Sequence, residues 1–240
     1  MKASIPESLR ADILTVVDNL KSKLGDELKS IVLSGGLVKN KLIKETDRVQ
    51  LMIVVNEVNI ALLDLTSESL TDKRAKQINA TVLTESDLKS STDVFPIRFL
   101  DMQQDYEVLH GEDVVKNLSI SRDNLRLRCE QELKNLLLKQ RRSYLAIRED
   151  SKAMEAMLLR GYYTFMQSGD ALAELITGNV YRNDDEVLKA IGEIGLDVDL
   201  MKRISALRSG ETLGDAVTVK QTVGEFMAMI EKAARMADKL

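Results

Sequence analysis

No proline follows Pro96 in this 240-residue chain; Pro6 and Pro96, its only two, lie in the first half. Proline breaks helix interiors, so its absence leaves the second half free to be almost continuous helix. Apolar residues there recur at helical spacing. Ser121 caps a helix expected to run to about residue 149, along an apolar line of Leu125, Cys129, Leu136, Leu137, Tyr144 and Ile147. More helices are expected at about 151–167, 170–178, 184–194, 198–208 and 214–238, punctuated by Gly169, Gly178, Gly195 and Gly210. Helices joined by such short connections read as a bundle.

The first half alternates helix and strand. Ser4-Ile5-Pro6-Glu7 opens a helix whose apolar positions are Leu9, Ile13, Val16, Val17, Leu20 and Leu24, and Gly25 ends it. Residues 30–34 form a short β-branched run that stops at Gly35-Gly36. Residues 49–55 are almost continuously apolar, as expected of a strand covered on both faces. A helix is expected over 59–77 and a strand over 80–83, after which Thr84 caps a short helix with Asp87 three residues on. Residues 97–102 read as a fourth strand, and 106–109, closing on His110-Gly111, as an edge piece. The expected fold class is α+β: a mixed β-sheet domain with flanking helices over residues 1–118, then an all-α helical bundle over 119–240.

Composition narrows the chemistry. Cys129 and His110 are the only residues of their kinds, which excludes an internal disulfide, a thiolate cluster and a multi-histidine metal site. Cys129 lies on an apolar helix face and reads as core, and His110 as a structural turn residue. No run approaches the ~18–20 apolar residues that span a bilayer. Residues 1–10 lack a secretory apolar region, so no membrane association and a cytoplasmic location are expected. With 34 basic against 38 acidic residues, the net charge of -4 gives no overall drive toward nucleic acid. The helix at 119–148 is locally basic: Arg122, Arg126, Arg128, Lys134, Lys139, Arg141, Arg142 and Arg148 outnumber Asp123, Glu130 and Glu132. Only Tyr144 interleaves these charges, so packing beside acidic helices is expected rather than a nucleic-acid groove. Met227, Met229 and Met236, with Phe226 and Ile230, read as core. Their competing use is a homodimer or protein-partner surface on the helical domain.

The best candidate site is the junction after the first strand. Paired glycines let backbone amides approach a ligand closely, a geometry suited to anions. Ser34-Gly35-Gly36, followed by Asp47 and by Arg48-Val49-Gln50-Leu51-Met52-Ile53-Val54-Val55, resembles the nucleotidyltransferase fold of the polymerase-beta superfamily, including minimal and aminoglycoside nucleotidyltransferases. Residues 95–101 and 106–113 are similar to the later part of such domains. The resemblance covers about residues 28–118. It implies two aspartates one residue apart at the head of the second strand and a third carboxylate on a later one, together holding Mg²⁺ for nucleotidyl transfer.

This chain departs from that pattern where the metal would bind. Arg48 and Gln50 stand at the paired-aspartate positions, and Asp47 is one residue off, pointing to the opposite face. The third acid falls at Arg98 or Asp101, on opposite faces of the expected strand. Arginine repels Mg²⁺ and Gln50 offers one neutral oxygen. Ser34, Gly35, Gly36, Lys39, Arg48, Gln50 and Arg98 are therefore expected to bind a nucleotide or other phosphorylated or anionic ligand directly, with no metal. The bland alternative has the lysines in a solvated loop and Arg48 paired with a nearby acid. Two other readings stay open. One is an active Mg²⁺-dependent transferase using the displaced acids Asp47 and Asp101. The other is an interaction protein acting through its helical domain.

Overall fold

A computed structural model describes residues 6–34, 49–71, 77–104, 106–181 and 183–240. The chain divides into two compact units, residues 1–120 and 121–240.

The first unit is built on a four-stranded mixed sheet of order β3-β2-β1-β4. Helix α1 (Glu7–Leu24) buries the stripe Leu9, Ile13, Val16, Val17, Leu20 and Leu24, and Gly25 at its end has φ +50°. Strands β1 (Leu28–Ser34) and β2 (Val49–Val55) pair antiparallel and are buried along almost their whole length. Both faces are covered, which explains their unbroken apolar sequence. Helix α2 (Ile60–Leu70) starts at Asn59, whose side chain accepts from the Leu62 N–H. It buries Thr66 and Ser69, whose hydroxyls donate back to the carbonyls of Leu62 and Leu65. Burying those hydroxyls is tolerable because both are satisfied.

Strand β3 (Ile78–Thr84) runs parallel to β2 and turns directly into α3 (Glu85–Val94). The turn is a reciprocal capping box. The Thr84 hydroxyl accepts from the Asp87 N–H, and the Asp87 carboxylate accepts from the Thr84 N–H. The Thr84 hydroxyl also donates to the Asp87 carboxylate, and the bond from the Thr84 N–H and this one hold the Asp87 carboxyl below its usual range.

Residues 97–102 are not a strand. They lie in helix α4 (Pro96–Gln104), with Pro96, Phe99, Leu100 and Met102 buried. Two forces decide this. Pro96 sits at the first helical position, where its missing N–H costs nothing. The buried residues also recur three and four apart (96 to 99 and 100, 99 to 102) rather than at every second position. Arg98 and Asp101 are thus three apart on a helix, not on opposite faces of a strand. Strand β4 (Tyr106–Gly111) pairs antiparallel with β1 and contains His110 opposite Ile31. Two apolar clusters result. Leu9, Ile13, Leu20, Ile31, Leu33, Leu51, Ile53 and Leu62 pack on one side of the sheet. Val32, Met52, Val54, Leu88, Phe99, Met102 and Val115 pack on the other.

The second unit is all helix: α5 (Arg122–Ile147), α6 (Ser151–Thr177), α7 (Asp184–Glu193), α8 (Val198–Ala206) and α9 (Ala216–Asp238). Each begins at a side-chain cap: Ser121, Asp150, Asn183, Asp197 and Asp215 each accept from the N–H three residues on. The two helices expected at 151–167 and 170–178 are one. Gly169 does not interrupt α6; it lets Ile191 approach so closely that a Cβ there would lie 2.9 Å from the Ile191 Cδ1. Phe226, Met229 and Ile230 are buried, and Phe226 meets Phe165 edge-on with centroids 6.0 Å apart. Much of the charge on α5 is matched within this unit, Arg126 and Lys134 by Glu130, Arg128 by Glu132 and Arg141 by Glu231 of α9.

Candidate functional site

The registers of the four strands place one residue from each in a single transverse row. Asn79 of β3 lies opposite Gln50 of β2, Gln50 opposite Ser34 of β1, and Ser34 opposite Tyr106 of β4. Directly paired residues share a face of the sheet, so four polar side chains line one end of the face covered by α3 and α4. The next row inward is Thr81, Met52, Val32 and Val108. The face therefore changes from polar at its end to apolar within one pleat repeat.

A cavity of about 200 Å³ opens over this step. Its sheet side is Ser34, Gln50, Leu51, Met52, Thr81 and Leu83. Its helix side is Ser91 of α3 with Phe95, Arg98, Phe99 and Met102 in and before α4. Helix α4 thus brings Arg98 to the site by a route different from the expected one, as part of the roof over the sheet. Arg98 is exposed, and no ion pair engages it among the described residues. It is also the one cation among the described lining residues.

Gln50 is oriented by its neighbour. The Asn79 side-chain N–H donates to the Gln50 Oε1 at 2.8 Å, so the amide oxygen of Gln50 is engaged and its N–H₂ remains to be offered. The described lining is then rich in donors: this amide, the Arg98 guanidinium, and the hydroxyls of Ser34, Thr81 and Ser91. Mg²⁺ takes carboxylate and water oxygens. The described lining holds no carboxylate and does not fit that ion. Asp101, on α4, is not among the lining residues. Gly35, Gly36, Lys39, Asp47 and Arg48 lie outside the described residues.

Two acids in and just after β4 have structural employment. Glu107 pairs with Arg10 at 2.6 Å. Asp113 accepts from the Tyr106 hydroxyl and from the N–H groups of Val115 and Lys116. Burial, followed by the hydrogen bond to Asp113, raises the Tyr106 hydroxyl above its usual range. No group of three or more His, Cys, Asp or Glu side chains among the described residues could hold a metal ion. Cys129 is fully buried, its thiol donates to the Ser168 carbonyl, and burial pushes it up to about 12. It is core, not nucleophile. Among the described residues no helix is long and apolar enough to cross a membrane.

Of the residues singled out in the sequence, Ser34, Gln50 and Arg98 line this cavity. Sequence reading missed Asn79, Thr81, Ser91, Phe95, Phe99 and Met102. Asn79 had a signal: it is a polar residue near the head of an apolar strand, as Gln50 is, and the two strands are parallel.

No protein-family model matches the chain, and no curated protein matches it. Among solved structures the chain is similar to the spectinomycin adenyltransferase AAD(9) from Enterococcus faecialis, crystallised with ATP and spectinomycin. The identity is 13%, over 92% of this chain and 99% of that one, with a TM-score of 0.47. The ATP and spectinomycin belong to that protein.

Proposed function

We propose that the first half, about residues 1–118, is a nucleotidyltransferase-like domain that has given up metal-dependent transfer and binds a nucleotide or other phosphorylated or anionic small molecule. The observation that carries this reading is the donor set over the row Asn79–Gln50–Ser34–Tyr106. Where the fold family places an acid, Gln50 has its oxygen occupied by Asn79 and presents N–H groups, and Arg98 adds a fixed positive charge. An anion needs such donors, whereas a metal needs oxygens. Ser34, Gln50 and Arg98 act together in this reading with Gly35, Gly36, Lys39 and Arg48 of the adjoining segment.

The test combines binding and turnover on the full chain. ATP and inorganic pyrophosphate should each raise the melting temperature without Mg²⁺. No label should pass from nucleoside triphosphate to any acceptor when Mg²⁺ is added. Mg²⁺-dependent transfer that is lost in Asp101→Asn would contradict the proposal and favour the active enzyme using Asp47 and Asp101.

A further inference from the structure

The cavity's shape and chemistry specify more than an anion. Resting on the anion-binding reading above, we infer that the ligand is an aromatic acid of one or two rings, its ring held between the sheet and α4 and its anionic group held at the polar row by Arg98.

Three features of the site lead there. The first is size. An apolar cavity of roughly 150 Å³ is enough to hold a benzene ring, so the volume of about 200 Å³ here suits one ring or two fused ones. The second is the lining. Met52 and Leu83 of the sheet face Phe95, Phe99 and Met102 of the helix side, with the two methionines on opposite walls. Phenylalanine edges and faces pack against an aromatic ring, and thioethers adapt to its outline. A sugar or polyol would leave its hydroxyls unpaired against these groups.

The third is the geometry of the cation. Arg98 is in the described lining, and its planar fork matches a carboxylate with two parallel hydrogen bonds. The remaining oxygen capacity is met by neutral donors, the Gln50 N–H₂ and the Ser34 hydroxyl. The polar-to-apolar step between the row of Gln50 and the row of Met52 fits a ligand with a charged end and an apolar body.

Calorimetric titration of the full chain with 2-naphthoate, with its uncharged amide 2-naphthamide, and with inorganic pyrophosphate tests this. The naphthoate should bind about tenfold or more tightly than the amide. Arg98→Gln, a change at an exposed position, should remove that preference. Leu83→Phe, which fills the cavity from the sheet side, should abolish naphthoate binding and spare pyrophosphate. Equal binding of naphthoate and naphthamide, or a preference unchanged by Arg98→Gln, would overturn the inference. Pyrophosphate binding without naphthoate binding would also overturn it and leave the anion site standing. Binding of neither would sink both.

Discussion

Asn79 donates to Gln50 across the parallel pair β3–β2 at 2.8 Å, and this contact decides what Gln50 offers to the cavity. It makes Gln50→Glu an informative change. The glutamate can keep the hydrogen bond from Asn79, but its second oxygen replaces the N–H₂ with negative charge. Pyrophosphate affinity should fall about tenfold or more, because like charge at a binding site is costly. The melting temperature should stay close to that of the wild type. Calorimetric titration beside a thermal melt measures both.

Glu174 gives the helical unit a pH dependence. Burial, then the neighbouring charge of Asp170, pushes its carboxyl up to about 7, against the opposing effect of Arg122. One of its oxygens is buried with no hydrogen-bond partner. The folded state therefore holds this proton more tightly than the unfolded chain, whose carboxyl titrates near 4.5. The group's stabilising contribution is complete below that value, falls as pH rises toward 7, and is lost above it. The side chain is only half-buried, and after solvent screening the effect is about 1 kcal/mol. Glu174→Gln should be more stable than the wild type at pH 8 by about that amount and equal to it at pH 4, by denaturant unfolding of the full chain.

Gln140 and Gly161 form a tight contact in the helical core. Gln140 is buried and its side-chain oxygen has no partner, while a Cβ on Gly161 would lie 2.3 Å from the Gln140 Nε2 and 2.8 Å from the Phe226 ring. Gly161→Ala should destabilise by about 1–3 kcal/mol through overpacking. Gln140→Met should stabilise by about 1 kcal/mol, since it removes an unsatisfied buried polar atom at similar volume. Urea unfolding of the two variants checks the opposite signs.

Cys129 should resist thiol reagents in the native protein at pH 8 and react fully in denaturant. Its burial leaves almost no thiolate when its titration is pushed up to about 12. Reaction with a chromogenic disulfide reagent, followed by its colour release, reads this directly. Rapid native modification would show that the helix α5 surface around it opens.

Where local rules act alone, the sequence already carried the fold. Val49–Val55 is apolar throughout because both faces of β2 are covered, and Thr84 with Asp87 announced the capping box. Ser121 marked the start of the first long helix of the second half. The failures came where two signals competed. Residues 97–101 alternate Ile, Arg, Phe, Leu, Asp closely enough to imitate a strand, yet Pro96 and the spacing of buried residues make a helix. That change moved Arg98 from the sheet to the roof of the cavity and took Asp101 out of the lining. The polar row was illegible for a different reason. Asn79 and Gln50 are 29 positions apart, and only strand register makes them neighbours. Gly169 imitates a helix stop in the sequence, whereas its role is to let Ile191 approach, a tertiary contact with no local trace.

In the proposed reading, Ser34, Gln50 and Arg98 hold the anion by fixed donors and need no metal. Titration of the full chain with inorganic pyrophosphate, in EDTA and again in excess Mg²⁺, tests it most directly. Saturable binding in EDTA that is as tight as in Mg²⁺, or tighter, and that is weakened by Arg98→Gln, is the predicted result. Binding that requires Mg²⁺ and is indifferent to Arg98→Gln would contradict the account.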